Sequence, residues 1–249
     1  MSRIETVADG AILRVTLNRP EKKNALDQAM YHALADAFEH AAHDPEISLV
    51  LLRGGDGCFT AGNDLADFLA SPSLCANDPA PRFLSALSQC PKIVIAAVDG
   101  LAIGIGTTLL LHCDLVLATP ASRLQLPFIH LGLVPEAASS LLLPRAIGHL
   151  RASELLLLGE PFSAQRGYEL GLINRVIEPS IFAASVNEIC KTIAGKSQSA
   201  LLATKRLLKL GQGCDTGARM QSEFTAFAAQ LETSEAKAAI LSFFEPQGA

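Results

Sequence analysis

Ile93-Val-Ile-Ala-Ala-Val-Asp-Gly-Leu-Ala-Ile-Gly-Ile-Gly-Thr-Thr-Leu-Leu-Leu-His-Cys-Asp-Leu-Val-Leu-Ala118 is apolar enough and long enough to cross a bilayer as one helix. Its interior argues otherwise. Asp99, His112 and Asp114 are costly in lipid, and Gly100, Gly104 and Gly106 interrupt a helix. The run reads instead as a buried strand over Ile93 to Val98, a glycine-rich turn, a helical Thr107 to His112 and another strand, all within one water-surrounded core. That order of elements is the start of an α/β fold.

The flanking sequence extends the same rhythm. Leu13, Val15 and Leu17 alternate with Arg14 and Thr16, as in a half-buried strand that ends at Asn18-Arg-Pro-Glu21. From Asp27 the period becomes helical, with Met30, Leu34, Phe38, Ala37 and Ala41 on one stripe and Asp44-Pro45 as the stop. Ile47 to Leu52 is a continuous apolar run closed by Arg53-Gly-Gly-Asp-Gly57, which fits a buried parallel strand. Strand, helix, strand, loop, strand gives an α/β core over about the first two thirds of the chain. Ile173 to Ile177 is strand-like, and Ile181 to Phe244 reads as helical, with stripes at Leu201, Lys205, Leu208 and at Phe224, Phe227, Leu231. The expected division is a core over 1–190 and a helical C-terminal subdomain over 191–249. Ser71 to Pro81, with three prolines, reads as a loop near a site.

Bulk properties narrow the function. The 249 residues are 49% hydrophobic, enough for a core without staples. A formal charge of -5 provides no global basic field, so nucleic acid is not an expected partner. Cys58, Cys75, Cys90, Cys113, Cys190 and Cys214 form no Cys-x-x-Cys pair, which disfavours a zinc knuckle or redox pair and fits free thiols in a reducing compartment. The N-terminal ten residues lack the apolar core of a secretion signal, so a cytoplasmic protein with no membrane association is expected.

Two loops are placed to do chemistry. Cys58-Phe-Thr-Ala-Gly-Asn-Asp-Leu65 and Asp99-Gly-Leu-Ala-Ile-Gly-Ile-Gly106 each follow a strand. Backbone N–H groups at a strand-to-helix turn lack partners and can face an anion, and two such donors make an oxyanion hole. Gly104-Ile-Gly106 is a poor nucleotide-binding match, since the Gly-x-Gly-x-x-Gly spacing and its ribose-binding acid are missing. His40 and His43 lack a third metal ligand and read as solvent-face residues; no metal is expected. Asp64 reads as a helix cap, and His112 and Asp114 as a helix end. His130 and His149 show no nucleophile partner, and no Ser-His-Asp set is legible.

Glu136 is the anomaly, one carboxylate within Leu131-Gly-Leu-Val-Pro-Glu-Ala-Ala-Ser-Ser-Leu-Leu-Leu143. Burial raises a carboxyl pKa and suits it to proton transfer near neutrality. Pro135 followed by Glu136 equally reads as a helix start, where the dipole favours an acid. Local sequence leaves both readings open.

The segments Asn18-Arg-Pro-Glu-Lys-Lys-Asn-Ala-Leu26, Phe59-Thr-Ala-Gly-Asn-Asp-Leu65, Pro91-Lys-Ile-Val-Ile-Ala-Ala-Val-Asp-Gly100, His112-Cys-Asp114, Leu131-Gly-Leu-Val-Pro135 and Gly171-Leu-Ile-Asn174, in this order, resemble the crotonase (enoyl-CoA hydratase/isomerase) superfamily. The resemblance covers almost the whole chain. It implies a spiral of ββα turns, a helical C-terminal trimerisation region, a homo-trimer or hexamer, and an acyl-CoA thioester substrate with no separate cofactor. It places the two oxyanion donors at the N–H groups of Asn63 and Ile105. Lys22, Lys23 and Ala25 match the region that meets the CoA nucleotide, and Ala61, Gly62, Asn63, Asp64 and Leu65 match the pantetheine and thioester region.

The two glutamates of the family's hydratases fall at Thr108 and Phe128, both placed against the substrate by the resemblance. A standard hydratase is therefore not expected. Glu136 sits where peroxisomal-type Δ3,Δ2-enoyl-CoA isomerases carry their acid, and Pro135-Glu-x-x-Ser-Ser140 is similar to theirs. The expectation is a 3-enoyl-CoA to 2-trans-enoyl-CoA isomerase of fatty acid metabolism, with Glu136, Asn63 and Ile105 as catalytic residues. The alternatives are a hydratase-like enzyme, an isomerase of aromatic-ring acyl-CoA, and a non-catalytic acyl-CoA-binding relative.

Overall fold

The computed structural model describes residues 2–55, 57–70, 78–210 and 216–242. Strands β1 (Ile4–Asp9) and β2 (Ile12–Leu17) form an antiparallel hairpin. Helix α1 (Gln28–His43) follows, capped by Asp27, whose side chain accepts from the Met30 N–H. Met30, Leu34, Phe38 and Ala41 are fully buried, so the expected stripe faces the core. Strand β3 (Leu49–Gly54) begins two residues later than the apolar run, because Ile47 still belongs to the turn after α1, its N–H bonding Asp44 O at 3.3 Å.

Helices α2 (Leu65–Ala70) and α3 (Pro79–Gln89) come next. The loop expected over Ser71 to Pro81 is only partly testable: 71–77 lie outside the described residues, while Pro79 already opens α3. The deciding run then folds as β4 (Ile93–Val98), β5 (Leu101–Ile103), α4 (Ile105–Thr108), a 3-10 turn over Leu109–His112, and β6 (Leu115–Ala118). Among the described residues no helix is long and apolar enough to cross a membrane. The chain continues through β7 (Arg123–Gln125), a 3-10 turn over Pro127–Leu131, α5 (Ser139–Ile147), α6 (His149–Leu158), β8 (Phe162–Ser163), α7 (Ala164–Glu169) and β9 (Arg175–Val176). Only Arg175 and Val176 of the strand-like run from Ile173 to Ile177 pair in a ladder, opposite Leu117 and Ala118.

The main sheet has the order β1-β2-β3-β4-β6-β9, parallel after the first pair. Its central strands are covered on both faces, which is why they read as unbroken apolar runs. Val50, Leu52, Val94, Ala96 and Val98 enter the main core with residues of α1 and α3. Leu49, Leu51, Ile93 and Ile95 face the other way, against Val186 and Cys190 of α8 (Pro179–Ala194). Helix α8 runs through residue 190, where the sequence reading divided the chain. A smaller sheet, β5-β7-β8, lies alongside. Each pair β4/β5 and β6/β7 gives its first strand to the large sheet and its second to the small one, and Thr60 bridges Ala102 to join the preceding turn to this stack.

The helical C-terminal stretch divides into α8, α9 (Gln198–Leu210), α10 (Thr216–Leu231) and α11 (Ser234–Ser242). Lys205 of α9 is buried, its ammonium 2.6 Å from both Asp114 and Lys92 O. Met220, Phe224, Phe227 and Leu231 of α10 join the main core.

Candidate active site

Two loops meet because glycine lets their backbones touch. Gly62 has φ 95°, and a Cβ there would lie 2.8 Å from Ile103 O; a Cβ on Gly106 would lie 2.5 Å from the Thr60 methyl. The first loop is fixed by main-chain bonds to the segment before α1. Ala61 N–H bonds Lys23 O at 2.9 Å, Leu26 N–H bonds Gly62 O at 2.8 Å, and Asp64 N–H bonds Leu26 O at 2.8 Å. These bonds step around Asn63, whose N–H has no protein acceptor among the described residues. In the second loop Gly104 N–H bonds Gln125 O, while Thr107 and Thr108 N–H both bond Gly104 O. Ile105, at the first position of α4, likewise keeps a free N–H among the described residues.

Both free donors belong to the lining of one cleft of about 450 Å³. Of the residues expected there, Lys22 and Ala25 line it, as do Ala61 through Leu65, Ile105 and Phe128. Lys23 does not: it takes a left-handed turn (φ 49°) and serves the loop through its carbonyl. Asp64 caps α2, accepting from Ala66 N–H, and pairs with Arg19 at 2.9 Å. The remaining wall is mostly apolar, with Gln125 and His130 as its polar members, and sequence reasoning did not foresee Leu131, Leu133 and Phe227 in it.

Thr108 and Glu136 are not among the lining residues. They stand together one layer in, the Thr108 hydroxyl donating to Glu136 Oε1 at 2.5 Å, one helical turn beyond Ile105. Glu136 is buried, 6% exposed as a residue. Burial pushes its pKa up to about 8, partly opposed by the Thr108 bond and reinforced by the charge of Glu223.

The helix-start reading of Glu136 is corrected, because α5 begins three residues later at Ser139. Ala137 and Ala138 intervene at φ 57° and 56°, a left-handed pair that costs about 1–2 kcal/mol per non-glycine residue. Ser139 closes this turn, its N–H and hydroxyl bonding Glu136 O at 3.0 and 2.6 Å, and external bonds brace it. His112 Nε2 lies 2.7 Å from Ala137 O, and Glu223 of α10 accepts from Ala138 N–H, Ser140 N–H and the Ser140 hydroxyl. Burial lowers the His112 pKa to about 4, so a neutral ring donates its Nε2 proton to that carbonyl.

Tyr31 is the other residue that sequence reasoning missed. Its buried hydroxyl donates to the side-chain oxygen of Asn63. Burial, aided by the negative charge of Glu136, drives the Tyr31 pKa well up and keeps the phenol a donor. His40 and His43 are exposed on α1, and no cluster able to hold a metal occurs among the described residues. His130 lines the cleft with its ring 3.2 Å from Gly159 O, and His149 is exposed at the start of α6.

The chain is similar to known proteins along almost its whole length. The pattern of the family described as Enoyl-CoA hydratase/isomerase matches residues 8–248. The chain is 35% identical to the 2,3-dehydroadipyl-CoA hydratase of Escherichia coli over 246 residues, covering 97% of this chain and 96% of that protein. It is 32% identical to rat enoyl-CoA delta isomerase 2 over 246 residues, covering 96% of this chain but spanning only 63% of the rat protein. Among solved structures, Pseudomonas aeruginosa OdaA superposes with a TM-score of 0.96 at 41% identity, covering 99% of this chain and 100% of that one.

Proposed function

This chain belongs to the enoyl-CoA hydratase/isomerase family, and on that premise we propose that it converts 3-enoyl-CoA into 2-trans-enoyl-CoA with Glu136 as the sole proton carrier. The observation that carries this reading is the Thr108 bond to Glu136. The position matching a hydratase glutamate holds a hydroxyl donor, and the buried carboxyl beside it has a pKa of about 8.

The thioester oxygen is held by the N–H groups of Asn63 and Ile105, which line the cleft and lack protein acceptors. Each donor contributes about 3 kcal/mol to stabilising the enolate. The acyl chain lies against Phe128, Leu131 and Leu133, next to the segment carrying Glu136. Ionised Glu136 takes a proton from C2, and the C2–H electron pair becomes the C1=C2 bond of a dienolate as the carbonyl pair moves onto the thioester oxygen. On collapse the oxygen pair re-forms C1=O, the C1=C2 pair becomes C2=C3, and the C3=C4 pair bonds the proton arriving at C4. Protonated Glu136 then delivers that proton to C4, so the carboxylate is regenerated and no water is consumed. Coenzyme A belongs to the substrate, and the reaction needs no other cofactor.

The E. coli relative's name keeps hydration in view as the second reading. Phe128 disfavours it, because an apolar ring stands where a second carboxylate would orient water. The test is incubation with 3-enoyl-CoA and 2-enoyl-CoA side by side. Conjugation appearing in the first without hydration of the second supports isomerisation; hydration of the second, or isomerisation undiminished in Glu136→Gln, overturns it.

A further inference from the structure

We infer that Glu223 is a positioning residue for Glu136, clamping from α10 the turn that carries that carboxylate. The inference rests on the proton-carrying role proposed for Glu136. Glu223 lies more than eighty residues away in sequence, yet it is buried against this turn. Its Oε2 accepts from Ala138 N–H at 2.5 Å, and its Oε1 accepts from Ser140 N–H at 3.0 Å and from the Ser140 hydroxyl. Ala138 is left-handed; the turn is closed by Ser139 N–H and the Ser139 hydroxyl bonding Glu136 O, while the Ala138 N–H finds its partner outside the turn, in Glu223.

The ionisable groups facing this pair are few. Tyr31 of α1 interacts with Glu136, and Arg219 of α10 draws Glu223 toward its charged form against the effect of burial. His112 reaches the turn at Ala137 O. Like charge on Glu223 opposes ionisation of Glu136 and so makes it a stronger proton acceptor. One helical turn beyond Glu223, Phe227 of the same helix forms part of the cleft wall. Helix α10 thereby connects the acyl pocket to the catalytic turn.

Glu223→Gln keeps the shape but loses the charge and one of the two acceptor oxygens that serve Ala138 and Ser140. The direct readout is an infrared titration of the Glu136 carboxyl band, assigned by its loss in Glu136→Gln. The midpoint is expected to fall by about one pH unit in Glu223→Gln. With 3-enoyl-CoA, kcat should fall about tenfold while KM stays within about twofold. Glu223→Asp, which keeps the charge but is one methylene short, should lower kcat and leave the midpoint nearly unmoved. An unchanged midpoint and kcat in a folded Glu223→Gln protein overturns the inference. Should that variant fail to fold, Ser140→Ala removes one clamp bond, and a wild-type kcat there has the same force. Full isomerisation by Glu136→Gln would sink the proposed reaction instead, while the infrared midpoint still tests the clamp.

Discussion

Thr108 and Glu136 are joined by a hydrogen bond one layer behind the cleft lining, the hydroxyl donating to Oε1 at 2.5 Å. This bond favours the ionised carboxyl while burial opposes it. A bond to a charged acceptor is worth about 1.5–3 kcal/mol, equivalent to about one to two pKa units. Thr108→Val should therefore raise the Glu136 pKa further above about 8 and move the acid limb of the kcat/KM profile to higher pH. A pH-rate profile checks this; a limb that stays in place or moves down sinks the assignment.

A raised carboxyl pKa also makes stability depend on pH. Folded Glu136 titrates near 8 against 4.5 for an unperturbed group, so between those values the native state holds a proton that the unfolded chain has released. Its contribution is fully present below about 4.5 and is lost as pH rises through about 8. Glu136→Gln cannot ionise there. It should gain stability over the wild type on going from pH 5 to pH 9, by several kcal/mol in order of magnitude. Paired urea denaturations at each pH test this, because the titration of His112 and other groups cancels in the difference. A difference that is flat with pH would show that Glu136 ionises normally.

Asn63 is held by its side chain as well as by the main-chain bonds of its neighbours. The Tyr31 hydroxyl donates to Asn63 Oδ1 from within the core, at the edge of the loop that lines the cleft. Tyr31→Phe removes a bond worth about 0.5–1.5 kcal/mol and leaves a partly buried amide oxygen unsatisfied. Expected is a kcat reduced about two- to tenfold with little change in KM, since an oxyanion donor matters most when charge develops on the substrate. Steady-state kinetics decide it: a rise in KM alone would assign Tyr31 to substrate binding.

Legibility in the sequence followed the range of the interactions. The strand and turn from Ile93 to Gly106 were readable because each is fixed by its own apolar run and glycines, whereas the choice of Asn63 and Ile105 as donors came from the family resemblance. Tyr31 was hidden by its place on the buried stripe of α1, where an aromatic looks like simple core; its ring indeed packs 5.9 Å from Phe83. Glu223 was hidden among the polar residues of an amphipathic helix, since only tertiary folding brings it to Ser140. The start of α5 was misread for a related reason. Alanine does not favour two successive left-handed residues, and beside the turn's own bonds from Ser139 to Glu136 O the bonds that hold them come from His112 and Glu223.

Ile105 allows one oxyanion donor to be deleted with little else changed. It is the first residue of α4, where proline's missing N–H breaks no helical bond and its fixed φ is tolerated. The residue before it is Gly104, which has no Cβ to clash with the proline ring. Ile105→Pro should therefore fold, yet lose about 10²–10³ in kcat, the usual effect of removing one such donor. The side chain is itself buried and lines the cleft, so Ile105→Val, which keeps the N–H, is the reference for lost packing. Thermal unfolding and acyl-CoA titration of both variants separate damage to fold or binding from damage to catalysis. A Pro variant that binds acyl-CoA and turns over within about tenfold of the Val variant would remove Ile105 from the oxyanion hole.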